Sequence, residues 1–141
     1  MAFSASALHI IFKKSMTWYL LMNRKFLGVG FGLIHLIHLA FIGLLQLYFY
    51  PIFEEAPITT FLGGGIAYVF VVLMLVTSLE RVQKSMNPKL WKGLHTIGGY
   101  WIWSIFLIIY WGRAQIQAIH WLPIILLLCV LAIRIIKLVR K

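Results

Sequence analysis

The chain has 141 residues, 62% of them hydrophobic and only 11% charged, with a formal net charge of +10. Soluble domains carry about 25% charge, and a fold this small leaves too much surface in water to hide so apolar a composition, so a soluble globular domain is excluded. The basic residues lie in short runs between apolar segments, not in one patch of groove size, which argues against nucleic acid and for contact with lipid headgroups.

Residues 1–25 read as a basic, interfacial N-terminal segment. Ala2 to Phe12 is apolar, but Lys13 and Lys14 follow it where a signal peptide would be preceded by charge, and no small-residue cleavage motif is present. The stretch resembles the tail of a helix whose start is missing, and the part before Lys25 is expected to lie along the inner surface as a partly amphipathic helix. Residues 26–141 read as a transmembrane helical domain with helices at about 26–50, 58–79, 92–111 and 118–137. Each is long enough to cross a hydrocarbon core of about 30 Å. In lipid the backbone must satisfy its own hydrogen bonds, so helices are the reading for such runs. The expected fold class is an all-α membrane protein, a bundle of about four transmembrane helices.

The loops give an orientation. Lys13, Lys14, Arg24 and Lys25 precede the first helix, Arg81, Lys84, Lys89 and Lys92 lie between the second and third, and Arg134, Lys137, Arg140 and Lys141 end the chain. The other two loops hold Arg113 and the acidic pair Glu54 and Glu55. Basic loops stay in the cytoplasm, so both termini are expected there. Pro51 and Pro57 bracket the first outer loop, and Asn87-Pro88 turns the inner one. Trp18, Tyr19, Tyr48, Tyr50, Trp91, Tyr110, Trp111 and Trp121 fall near the expected interfaces, as an aromatic belt does. The lone Cys129 cannot form an internal disulfide.

No carboxylate lies inside an expected span, which argues against a proton- or cation-coupled transporter. There is no zinc spacing, and Gly63-Gly64-Gly65 precedes no P-loop lysine. No nucleotide or flavin fingerprint is present either. Histidine remains: His35 and His38 in the first span, His95 near the start of the third, His120 near the start of the fourth. Ionisable residues within a membrane are functional candidates, and a neutral imidazole can ligate haem iron without adding charge. The competing use is a hydrogen bond to a neighbouring helix. Gly28 and Gly32 share a face with His35, and Gly98 and Gly99 border His95. Such glycines leave room for a flat macrocycle or for another helix. At 1.5 Å per residue, His35 lies about 15 Å and His38 about 20 Å along the helix from Lys25, and His95 about 5 Å beyond Lys92. His35 with His95 is the closest cross-helix pair, still about 10 Å apart in height; His120, near the outer surface, is nearer the level of His38.

Asn23-Arg24-Lys25-Phe26-Leu27-Gly28 followed by His35-Leu36-Ile37-His38-Leu39 resembles the ferric reductase-like transmembrane family. So does Leu75-Val76-Thr77-Ser78 followed by Leu90-Trp91-Lys92-Gly93-Leu94-His95. That family includes the haem-binding membrane subunit of the bacterial periplasmic methionine sulfoxide reductase system. The resemblance covers nearly the whole chain and extends to Ala2–Leu8, similar to the end of a preceding family helix. It implies a chain that begins partway through the family domain. It also implies a b-type haem-binding, multi-pass electron-transfer subunit of a bacterial inner membrane, an oxidoreductase component. By the same resemblance His38 and His95 would be ligands of haem iron, with His35 a third cofactor-binding candidate. Lys89, Lys92, Arg24 and Lys25 would flank the inner side, where haem propionates or a donor could meet them. The family often carries a further histidine nearer the outer face of the third helix, where this chain has Ile108. Expected partners are the lipid bilayer and other membrane subunits or a separate redox partner. The alternative is a cofactor-free structural or accessory subunit of a larger membrane complex.

Overall fold

The computed structural model describes residues 4–48 and 58–139. Tyr50, the loop residues Pro51, Glu54, Glu55 and Pro57, and the terminal Arg140 and Lys141 lie outside them. The described residues are helical, with no strand: α1 (Ala5–Phe12), α2 (Ser15–Met22), α3 (Arg24–Tyr48), α4 (Ile58–Val76), α5 (Glu80–Ser85), α6 (Pro88–Ala114) and α7 (Trp121–Val139). A 3-10 turn, Ala118–His120, leads into α7. Three stretches, α3, α6 and Ala118–Lys137, are long and apolar enough to cross a membrane, and α4 contributes a shorter apolar stretch, Leu62–Val76. Only 6% of the most apolar part of each long stretch is buried. Most side chains of these stretches are therefore at least partly exposed.

The helix ends follow from local chemistry. Asn23 separates α2 from α3: its amide group donates to the Tyr19 carbonyl at 2.9 Å, while its own carbonyl accepts the Leu27 N–H at 3.1 Å. Asn87 caps α6 by accepting the Lys89 N–H at 2.8 Å, and Pro88 occupies the first helical position, where its missing N–H costs nothing. That cap starts the helix at Pro88, upstream of the apolar periodicity that suggested residue 92.

The chain divides into two compact units, Met1–Gly28 with Trp103–Lys141, and Val29–Ile102. In the first unit, α1 and α2 form a short hairpin. It turns at Lys13, whose φ of 46° is left-handed, and the Lys13 N–H bonds the His9 carbonyl to close α1. The N-terminal segment is thus two short helices. Ser4, Ala5 and Ala7 are buried, and α1 packs on α7. Lys137 Nζ of α7 donates to Ser6 Oγ at 2.9 Å. Trp103 Nε1 of α6 donates to the Leu127 carbonyl of α7 at 3.0 Å. Lys137→Met is expected to loosen the hairpin. Losing a charge-assisted hydrogen bond of about 1 kcal/mol should raise tryptic cleavage after Lys13 and Lys14 about fivefold, as gel-based limited proteolysis in detergent would record. Unchanged cleavage would mean that apolar packing alone holds α1.

In the second unit α4 lies between α3 and α6. The α4–α6 pair is antiparallel: Trp101 Nε1 donates to the Gly63 carbonyl at 3.4 Å at one end, and Thr77 meets His95 at the other. Between them, a Cβ added at Gly98 would stand 2.8 Å from Met74 Sδ and 2.9 Å from Phe70 Cδ1. The absence of that Cβ lets the two helices close. Gly32 of α3 plays the same part against Leu75, whose Cδ1 lies 3.3 Å from the equivalent point. Gly32 falls sixteen positions before the end of α3 and Leu75 seventeen after the start of α4, the spacing of an antiparallel pair.

Candidate functional site: histidines of the second unit

The second unit contains His35, His38 and His95, three of the four histidines singled out by sequence and the three expected to bind a cofactor. Each sits in a different chemical state.

His95 belongs to a tie between α4 and α6. Helix α4 ends at Val76, and its last carbonyls need donors. Thr77 Oγ1 donates to the Leu73 carbonyl at 2.7 Å, and Ser78 Oγ to the Met74 carbonyl at 2.7 Å. The Thr77 carbonyl accepts Trp91 Nε1–H at 3.0 Å. His95 Nε2 lies 3.1 Å from Thr77 Oγ1, and the Trp91 and His95 rings, four residues apart on α6, sit 4.3 Å apart at 32°. The single hydroxyl hydrogen of Thr77 points to the end of α4, so toward His95 the oxygen can only accept. His95 Nε2 therefore carries a proton there and presents no lone pair for iron.

His35 is the opposite case. Its Nδ1 lies 2.8 Å from the Phe31 carbonyl, an acceptor, so Nδ1 donates and the lone pair falls on Nε2. Metal-binding histidines are commonly fixed in this way, the second ring nitrogen held by a backbone carbonyl. The Phe31 ring lies 4.0 Å from the imidazole and fixes its plane further. His38, one turn on, is exposed and makes no hydrogen bond or ring contact among the described residues. His120 belongs to the first unit, with its ring 6.1 Å from that of Tyr110. His9, which the sequence did not single out, lies 3.2 Å from Thr17 Oγ1 and packs against Trp18. It closes the N-terminal hairpin.

Helix α4 serves as a ruler for depth. Position 32 of α3 is level with Leu75, and His95 is level with Thr77. His35 is three residues beyond Gly32 in one direction, and Thr77 two beyond Leu75 in the other, so His35 and His95 differ by about 7 Å along the axis, and His38 and His95 by about 12 Å. Two imidazoles on one iron need nitrogens only about 4 Å apart, two bonds of about 2 Å. His35 and His38 on α3 are thus the imidazoles that would be offered to such a group, and His95 is not level with either. Among the described residues no group of three or more His, Cys, Asp or Glu is placed to hold a metal ion. Nor do Gly32 and Gly98 leave space for a macrocycle, because side chains of α4 fill it.

The tie was legible only in part. Thr77, Trp91 and His95 all stand in the two motifs that carry the family resemblance, yet nothing in the spacing says that one motif binds the other. The positions are 14 and 18 residues apart and meet only because α5 and the Asn87 cap fold the chain back. No protein-family model matches the chain, and no curated protein or solved structure gives a match either.

Proposed function

We propose that the chain is a multi-pass integral membrane subunit of ferric reductase-like type, four helices crossing the bilayer with both termini cytoplasmic, and that α3 carries a b-type haem for electron transfer. The observation that supports this best is His35. Its tautomer is set by the Phe31 carbonyl, so that Nε2 is the ligating nitrogen. His38, on the same helix face, adds an imidazole without a partner. When bound, haem would supply one-electron chemistry. The chain's own part would be to present the imidazole and fix its plane through the Phe31 carbonyl and ring. The basic residues at both ends and in the loop around α5 support the orientation. The donor would be another chain, a quinol or a free flavin.

A second reading, a cofactor-free structural subunit, is favoured by one observation: His95, the motif histidine, is used as a helix–helix tie. A visible spectrum of the protein, purified in mild detergent from haem-replete cells, separates the two. Resolved α and β bands on dithionite reduction are expected for the haem carrier. A flat spectrum from fully helical protein would reject it and leave the structural subunit.

A further inference from the structure

The N-terminal hairpin has no part in presenting an imidazole of α3, yet its surface is unusual. His9 Nδ1 lies 3.2 Å from Thr17 Oγ1 and joins α1 to α2, so the two short helices move as one piece. Thr17, Leu20 and Leu21 of α2 are partly buried. The other side of α2 is open and apolar: Met16 is 74% and Tyr19 67% exposed, and Trp18 and Met22 are more than half exposed. Ile10 and Phe12 of α1 are exposed as well. Cations frame this surface, with Lys13 and Lys14 at the turn and Arg24 and Lys25 just beyond α2, all exposed. The unit that holds the hairpin, residues 1–28 with 103–141, has no Asp or Glu; the chain's three acidic residues are Glu54, Glu55 and Glu80. The four cations therefore have no carboxylate side chain in their own unit to neutralise them.

Two contacts set the level of the hairpin. Lys137 Nζ donates to Ser6 Oγ at 2.9 Å, which ties the start of α1 to the basic end of α7. Asn23 joins the end of α2 to Arg24 and Lys25, the basic start of α3. In the proposed orientation both basic ends stand at the cytoplasmic headgroups, so the hairpin is held there at each end. Pointing into water, it would leave its large apolar side chains hydrated. Pointing into the hydrocarbon, it would carry Lys13 and Lys14 about 12 Å down, where charge is costly. Lying along the surface satisfies both kinds of side chain, and Trp and Tyr favour that zone. We propose that the open face of the hairpin docks on the cytoplasmic leaflet, and that Lys13, Lys14, Arg24 and Lys25 make it a site for anionic phospholipid. The phosphodiester oxygens of the headgroups would accept from the ammonium and guanidinium groups. This rests on the membrane reading above, is independent of haem, and goes beyond that reading by naming the charge of the lipid.

The test uses the full chain with Met16→Cys in a Cys129→Ser background, labelled at position 16 with an environment-sensitive fluorophore. It is reconstituted into vesicles of phosphatidylcholine alone, or of phosphatidylcholine and phosphatidylglycerol in equal amounts. Acrylamide, a neutral aqueous quencher, reports how far the label is withdrawn from water. Quenching is expected to be about fivefold weaker in the anionic vesicles, and molar salt should remove the difference. Lys13→Gln with Lys14→Gln should bring quenching back to the phosphatidylcholine value at unchanged helicity, whereas Lys13→Arg with Lys14→Arg should keep the protection. Equal protection in both lipids would overturn the anionic site, the apolar face alone then holding the hairpin down. A label open to acrylamide in both would overturn docking altogether and turn the same face toward a protein partner. Either outcome leaves the membrane reading standing as long as the chain floats with the vesicles after an alkaline wash. A chain that washes off would reject that reading itself.

Discussion

Gly98→Leu is expected to be the most damaging single substitution in the second unit, costing about 3 kcal/mol. Even the first carbon of the new side chain would stand 2.8 Å from Met74 Sδ and 2.9 Å from Phe70 Cδ1. Met74 can swing aside, since a thioether chain is flexible. The Phe70 ring has less freedom, because Trp101 lies against it at 6.3 Å. The only relief is to part α4 from α6, which stretches the Trp101–Gly63 and Thr77–His95 bonds at either end. Leucine gains about 0.8 kcal/mol over glycine in intrinsic helix preference, too little to offset this. Gly30→Ala is the matched control: a Cβ there meets nothing within 4 Å, so the gain of about 0.5–1 kcal/mol should be kept. Unfolding by sodium dodecyl sulfate, followed by circular dichroism, should move the two midpoints in opposite directions. Equal midpoints would show that α4 and α6 do not close on Gly98.

The second large effect is expected at Thr77. Thr77→Val keeps the shape and removes the hydroxyl, leaving His95 Nε2–H without its acceptor, while the Leu73 carbonyl keeps the backbone N–H of residue 77 at 3.0 Å. An orphaned polar group of this kind costs about 1–3 kcal/mol, and since His95 is only partly buried the lower half of that range applies. Thr77→Ser should be nearly neutral, because the hydroxyl returns. In a double-mutant cycle with His95→Phe, the pair should couple by about 1 kcal/mol. No coupling would remove the tie as an account of the two motifs.

Much of the helical plan was already legible in the sequence. The apolar runs beginning at Phe26 and Ala118 appear as α3 and as the stretch Ala118–Lys137, because length and hydropathy are properties of consecutive residues. Asn87-Pro88 was readable as a turn, since a side-chain cap and a proline at the first helical position act over three residues. The N-terminal segment was less so. Its apolar side chains gave no sign that Ala5 and Ala7 would be buried beside α7, at the other end of the chain.

What the sequence determined by itself was composition, helix placement and which residues carry imidazoles. What only the tertiary structure decided was the use of each imidazole: His95 spent on Thr77, His35 set by its own helix, His38 left open on an apolar face. The glycines divide the same way, Gly98 and Gly32 being filled by α4 while Gly30 faces empty space. The reason is physical. A helix repeats every 3.6 residues, so spacing fixes which residues share a face of one helix. It says nothing about which helix arrives opposite that face, or at what depth. Those depend on where side chains too far apart in sequence to be compared, such as Phe70 and Gly98, find room to close.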